Sequence, residues 1–384
     1  MTPDDRACLM LVAGEASGDL HGATLCRALR RQAPGLRLVG MGGPQMAEAG
    51  VSLLADLTGH AVVGAGEALS RLPRLLCAFG RLSKELRASR PRALILIDFP
   101  EFNLMLARVA RRLRIPVVYF IPPQLWAWRP GRARLLARLT AEILAVFPFE
   151  PPIYEAVGAR VRFVGHPLVD AIPDDLSRAG ARKDLGIPEG AHVIGLLPGS
   201  RREEVERLLP AMVEAARLIR AQVAEASFLL SPALAVDPQL VRDLTKAASV
   251  DLTALPGRTY EVMAAADLLL VASGTATLEA ALIGTPIVVC YKVSRLTELI
   301  GRLLIRIPWV SLANIVLGRA VVPELLQAQA TGPRLAEEAL RLLKSPDRLN
   351  AQRRAFLELK GILGTPGVGE RAARRILEVA GYPA

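Results

Sequence analysis

The sequence predicts an α/β protein made of two similar halves, each a parallel sheet covered by helices. Three observations carry this. Apolar runs of five or six residues, the length of a buried strand, alternate with helical patterns; Cys8–Ala13, Ala93–Ile97 and Leu268–Ala272 are the plainest. Several pass through a small or hydroxylated turn straight into a helix, at Gly14-Glu15-Ala16-Ser17-Gly18-Asp19, Pro198-Gly199-Ser200-Arg201 and Ser273-Gly274-Thr275-Ala276-Thr277. The layout of the first half starts again after about Pro167. Alternating βα units imply two Rossmann-like domains facing a central cleft, with ligands at the carboxyl ends of the strands.

The strand at 8–13 runs into the first turn and a helix over about 20–31. This is the dinucleotide layout, but G-x-G-x-x-G is absent, and Glu15 and Asp19 are wrong for a pyrophosphate. Two carboxylates at a cleft loop suit a sugar acceptor, with Ser17 beside them; the plainer alternative is that Ser17 or Asp19 caps the helix. A second strand covers 37–41. Between 60 and 90, Leu69, Leu72, Leu75 and Leu76 are interleaved with Arg71 and Arg74, and Leu69, Leu72 and Leu76 share a helical face. The segment is either a helix packed on the sheet or an interfacial helix with leucines among acyl chains and arginines on headgroups.

The strand at 93–97 ends in Asp98, and a helix follows over 104–113. A carboxylate at the end of a central parallel strand faces the crevice where ligands bind, which makes Asp98 the leading catalytic candidate; a helix cap is the alternative. After a strand at 116–121 comes Pro122-Pro123-Gln124-Leu125-Trp126-Ala127-Trp128. Gln124 offers amide hydrogen bonds, and the indoles serve either as walls for a sugar or lipid or as core. A strand at 141–146 is read as closing the first sheet, and the domain boundary falls near Pro167.

The second half opens with a strand at 193–197, the turn to Arg201, and a long helix over 202–220. Arg201, with Ser200, sits where a guanidinium can grip a diphosphate bidentately, unless it is a plain surface arginine. Further strands are expected at 227–230, 250–252 and 268–272. In Ser273 to Glu279, Gly274 permits close backbone approach, Ser273, Thr275 and Thr277 supply hydroxyls, and the helix start favours phosphate oxygens. Glu279 suits paired hydroxyls such as those of a ribose. A capped helix start without a ligand is the competing reading. Polar Asn314, Glu324 and Gln327 stand among apolar neighbours and are read as a cleft loop and the helix after it. The tail from 335 is helical, broken at 361–369.

Composition narrows the function. The 384 residues carry a net charge of +11 but only 4% aromatics, with no finger or RNP-like pattern, so an anionic small molecule or membrane surface fits better than nucleic acid. The four cysteines and four histidines have no metal-ligand spacing, which argues for free thiols and against a zinc site. No run has the length of a membrane span, and the first residues lack a secretory pattern, so a cytoplasmic location with at most peripheral membrane contact is expected.

Read together and in order, these motifs, with Phe163-Val164-Gly165-His166-Pro167-Leu168 and the stretch from Asn314 to Gln327, resemble the lipid-A-disaccharide synthase family, inverting glycosyltransferases of the GT-B fold. Glu101 stands where the family usually has Asp, and Pro122 where it often has Ser. The resemblance implies condensation of UDP-2,3-diacylglucosamine with 2,3-diacylglucosamine 1-phosphate, giving a β-1,6 disaccharide 1-phosphate and UDP, on the cytoplasmic face of the inner membrane. No cofactor or metal is called for. It implies a base at Asp98, a donor site built from Ser200, Arg201, Ser273, Gly274, Thr275, Thr277, Glu279, Asn314, Glu324 and Gln327, and acceptor contacts from Glu15, Ser17, Asp19 and Gln124. It divides the chain into an acceptor and membrane-binding domain (1–167), a UDP-sugar domain (168–345) and C-terminal helices (346–384) returning to the first domain, and leaves a homodimer open. The rival readings are another GT-B enzyme acting on UDP-N-acetylglucosamine, such as the 2-epimerase or the lipid II glycosyltransferase, and a non-catalytic nucleotide-sugar binder.

Overall fold

The computed structural model describes residues 8–57, 65–123, 130–188, 190–246, 248, 250–294, 298 and 308–382, without the side chains of 65–71 and 130. It divides into two compact units, Met1–Asp170 with Leu363–Ala384, and Ala171–Ile362.

The first unit holds seven parallel strands in the order β3-β2-β1-β4-β5-β6-β7: β1 Cys8–Ala13, β2 Arg37–Met41, β3 Ser52–Ala55, β4 Ala93–Ile97, β5 Val117–Phe120, β6 Glu142–Ala145 and β7 Val161–Phe163. Every residue of β1 and β4 is buried, which is why both read as unbroken apolar runs rather than alternating ones. Strand order reverses between β1 and β4, where Ala13 is in register with Ile97. The residues that follow each strand therefore emerge side by side at the switch point, where such sheets bind ligands. The sheet does not close at β6: β7 adds an edge.

The second unit repeats this with six parallel strands in the order β10-β9-β8-β11-β12-β13: β8 His192–Leu197, β9 Ala226–Leu230, β10 Leu252–Ala254, β11 Leu268–Ala272, β12 Ile287–Tyr291 and β13 Glu324–Leu326. Its switch point lies between β8 and β11. The helix Arg202–Arg220 buries Val205, Leu208, Leu209, Met212 and Ile219 on the sheet, and helix Gly332–Leu343 joins the same core. The segment read as a cleft loop and helix is instead helix Leu312–Leu317 followed by the edge strand β13.

The C-terminal helices split between the units. Helix Pro346–Ile362, expected on the first domain, is bolted to the second: the buried Gln352 side chain accepts from Ile287 N at 2.9 Å and donates to Ile287 O at 3.2 Å. Only the segment from Leu363 returns. There Asp170 caps helix Val368–Val379 through Gly367 N (2.7 Å) and Gly369 N (3.0 Å), and Arg375 Nε reaches the buried Glu142 at 2.7 Å.

The basic, leucine-rich segment is helix Ala65–Ser89. Leu72 and Leu76 are 48% and 60% exposed, one turn apart, with Arg74 exposed beside them. Leu75, expected with them, instead leans on the core along with Phe79, Ala78, Leu82 and Leu86. The side chains of Leu69 and Arg71 lie outside the described residues. Met105 (44% exposed) is on helix Pro100–Arg112, which packs against this one. Among the described residues, no helix is long and apolar enough to cross a membrane.

Candidate functional site

In the second unit a cavity of about 600 Å³ opens at the β8/β11 switch point. Its lining includes Gly199, Ser200, Arg201, Ser273, Gly274, Thr275 and Glu279, so seven residues singled out from sequence meet on one surface. Gly199 is at φ +116°, and a Cβ there would lie 2.5 Å from Glu204 Oε2. The turn wraps that carboxylate: Oε2 accepts from Ser200 N (3.1 Å) and Arg201 N (3.3 Å), while Oε1 meets Arg201 Nη1 at 3.3 Å. Glu204 thus supplies one half of a capping box, accepting from the N-cap N–H of Arg201, while the guanidinium, which can only donate, is held against the same carboxylate at the cavity wall.

The second turn places the start of helix Ala276–Ile283 at the cavity, with its positive dipole end inward. Gly274 and Thr275 are exposed to it. Ser273 Oγ donates to Val310 O at 3.0 Å. Thr277, expected to offer its hydroxyl to the ligand, is fully buried; it donates to Gly274 O at 2.7 Å and supports the turn from behind. Glu279 lies at the wall, where burial raises its carboxyl above the usual range; Tyr260 OH donates to Oε1 at 3.1 Å and acts against that rise. Burial also raises the Tyr260 phenol, and the nearby Glu279 charge adds to it.

Asn314, Glu324 and Gln327, expected in the donor site, are engaged with backbone instead. None lines this cavity. Asn314 donates to Val322 O (3.0 Å) and Glu324 Oε1 (2.8 Å) and accepts from Val321 N and Val322 N. Glu324 takes Val310 N (2.8 Å) and Ser311 N (2.9 Å), and Gln327 takes Val293 N (3.1 Å). Glu324, braced by Asn314, fixes the loop whose Val310 carbonyl receives Ser273, and Gln327 holds the chain after β12 at Val293.

In the first unit, Gly14 and Asp98 follow the two strands at the switch point. A Cβ on Gly14 would lie 2.3 Å from the Phe99 ring, so only glycine lets that ring cover the end of β1. Asp98 and Phe99 are both at φ +47°, a costly conformation for residues with a Cβ. The strain is held by hydrogen bonds to the Asp98 carbonyl from Tyr119 OH (2.7 Å) and Asn103 Nδ2 (2.6 Å). Such strain clusters at functional sites. Glu15 and Ser17 are half-buried at the adjoining helix start.

Asp19 is not beside them as an open carboxylate. It is 2% exposed and accepts from Gly43 N (2.8 Å), Gln45 N (3.0 Å) and Met46 N (3.0 Å), so it anchors helix Pro44–Glu48 rather than offering oxygens to a substrate. Gln124 lies outside the described residues. Two histidines with no sequence spacing also meet here: the His21 and His166 ring centroids are 6.2 Å apart, and burial lowers their pKa values to about 4 and about 3, keeping both neutral. Among the described residues no group of three His, Cys, Asp or Glu side chains is placed to hold a metal ion.

Two doubly wound parallel sheets, each with chemistry-bearing turns at its switch point, define a two-domain protein of the GT-B class. The lipid-A-disaccharide synthetase family model matches residues 9–362. The chain is 46% identical to the lipid-A-disaccharide synthase of Syntrophus aciditrophicus over 95% of its length and 96% of that protein's. It is 44% identical to that of Geobacter sulfurreducens over 99% of each. Among solved structures, the Neisseria meningitidis UDP-GlcNAc 2-epimerase bound to UDP-GlcNAc superimposes with a TM-score of 0.66 at 14% identity, covering 97% of this chain and 98% of that one, a likeness of fold. The chain belongs to the lipid-A-disaccharide synthase family, and it is a glycosyltransferase of the hexosyl-transferring kind.

Proposed function

We propose that the enzyme transfers the sugar of UDP-2,3-diacylglucosamine to the 6-hydroxyl of 2,3-diacylglucosamine 1-phosphate, with inversion, at the cytoplasmic face of the inner membrane. The observation that carries the donor half is the cavity at the β8/β11 switch point, with a guanidinium, a helix N-terminus and a carboxylate on one wall. Arg201, Ser200 and the turn Ser273-Gly274-Thr275 suit the diphosphate, and Glu279 suits the ribose hydroxyls. The strained Asp98 at the other switch point supports its reading as the base, with Glu15 and Ser17 orienting the acceptor.

The acceptor oxygen attacks the anomeric carbon while the bond to UDP breaks. Asp98 takes the hydroxyl proton, and UDP leaves with the electron pair. The charge growing on the diphosphate is met by donors already fixed in the protein, Arg201 and the helix start, which is the economical way to lower such a barrier. The exposed Leu72 and Leu76, flanked by Arg74, suit insertion at an anionic surface, where both lipid substrates reside.

The experiment pairs two variants. Asp98→Asn should lower kcat about 100- to 10,000-fold with UDP affinity unchanged. Arg201→Ala should weaken UDP about 10- to 100-fold, the worth of a charge-assisted hydrogen bond. Near-normal turnover in Asp98→Asn removes the base assignment. A loss in Arg201→Ala no larger than that of a distant surface arginine removes the diphosphate role.

A further inference from the structure

Glu279 presents a chemical problem. It lies in a wall that desolvates it, burial raises its pKa, and a protonated carboxyl would be a poor partner for a diol, which offers hydrogens. One side chain opposes this. Tyr260, at the start of helix Thr259–Ala265, donates its hydroxyl to Oε1 at 3.1 Å, and both residues line the same cavity. Among the described residues, no other hydrogen bond to the Glu279 carboxylate is found.

We propose that Tyr260 is a positioning residue for the nucleotide: its hydroxyl pins Glu279 Oε1 and leaves Oε2 as the acceptor for the ribose diol, so that Tyr260 and Glu279 together set preference for a ribonucleotide over a 2′-deoxyribonucleotide. This rests on the reading of Glu279 as the ribose contact. The geometry matters in two ways. A carboxylate with one oxygen already tied has its rotation fixed, so less ordering is left for binding. A donor from the protein also holds the anionic form, the one that accepts from both sugar hydroxyls. When the 2′-hydroxyl is missing, the carboxylate loses one of its donors in a desolvated site, and the penalty of that unmet acceptor is the discrimination.

The test is the ratio of dissociation constants for 2′-deoxy-UDP and UDP, measured by calorimetry on the full chain. The wild-type ratio should be about 10-fold or more, since a hydrogen bond to a charged group carries about that much. In Tyr260→Phe the ring and its packing stay, and the ratio should fall at least 3-fold, with UDP losing affinity and 2′-deoxy-UDP nearly unchanged. In Glu279→Gln the ratio should approach 1. If Tyr260→Phe keeps the wild-type ratio while Glu279→Gln collapses it, the positioning role is overturned and the ribose contact stands. If Glu279→Gln itself keeps the wild-type ratio, the ribose reading fails, and with it this one. Equal weakening of both nucleotides in Tyr260→Phe would mark Tyr260 as packing alone and overturn the proposal.

Discussion

Replacing Asp19 by asparagine separates a structural carboxylate from a substrate-facing one. Oδ1 accepts from Gly43 N and Met46 N, and Oδ2 from Gln45 N, at 2.8–3.0 Å in a site 2% exposed. In its better orientation an asparagine keeps the oxygen toward Gly43 and Met46 and turns its NH₂ toward the Gln45 N–H, donor against donor. The half-buried Gln45 N–H then loses its acceptor, at about 1–3 kcal/mol. The two surviving bonds lose their charge assistance, at about 1 kcal/mol each. The sum is about 3–5 kcal/mol, all of it in the first unit. Urea unfolding followed by circular dichroism should show the transition of that unit moving down by about 1.5–2.5 M, taking a slope of about 2 kcal/mol per M. Ser17→Ala, a neighbour outside this network, should stay within about 0.5 kcal/mol. If Asp19→Asn leaves the transition in place and instead raises KM for the acceptor, the carboxylate faces substrate and the reasoning is refuted.

Other outcomes follow from the same geometry. Gly199→Ala forces a Cβ against Glu204 and strains φ +116°, so UDP affinity should drop about 10-fold or more in calorimetry, with the fold retained by circular dichroism. His21 and His166 are held neutral in the fold, with pKa values of about 4 and about 3 against about 6.5 unfolded. Depressed values mean the stability is present above about pH 6.5 and is lost as pH falls toward them. Each should cost about 2 kcal/mol between pH 7 and pH 5, and urea midpoints of His166→Gln should fall correspondingly less than wild type over that interval. On helix Ala65–Ser89, Leu76→Glu should reduce cosedimentation with anionic vesicles without changing the melting temperature. Leu75→Glu should lower the melting temperature, because Leu75 packs on the core.

Local chemistry was legible wherever one segment carried it. The turns at Gly199-Ser200-Arg201 and Ser273-Gly274-Thr275 announce themselves as small residues between a strand and a helix, and they do meet at one cavity. What stayed hidden depends on partners distant in sequence. Asp19 reads as an open carboxylate until Gly43, Gln45 and Met46, more than 20 residues on, fold over it. Asn314 and Glu324 look like ligand contacts because polar residues among apolar ones do, yet backbone N–H groups of their own loop consume them. Tyr260 lies 19 residues from Glu279, and nothing at the start of its helix marks it as other than packing. The edge strands β3, β7 and β13 are three or four residues long, too short for periodicity to register. The unit that helix Pro346–Ile362 joins is not legible in its own residues, because its buried Gln352 bonds Ile287, 65 residues earlier, and its other partners are helices of the second unit.

The central claim is a transfer between two acylated sugars, using the cavity at β8/β11 for the donor and Asp98 for the acceptor. The direct measurement supplies both lipids together in mixed micelles and follows UDP release and the disaccharide 1-phosphate in the same sample, with NMR of the new linkage. The account predicts one UDP per disaccharide, a β-1,6 bond, and no UDP release when either lipid is omitted. Bound UDP without turnover, release of UDP with only free sugar formed, or activity on unacylated UDP-N-acetylglucosamine would contradict it.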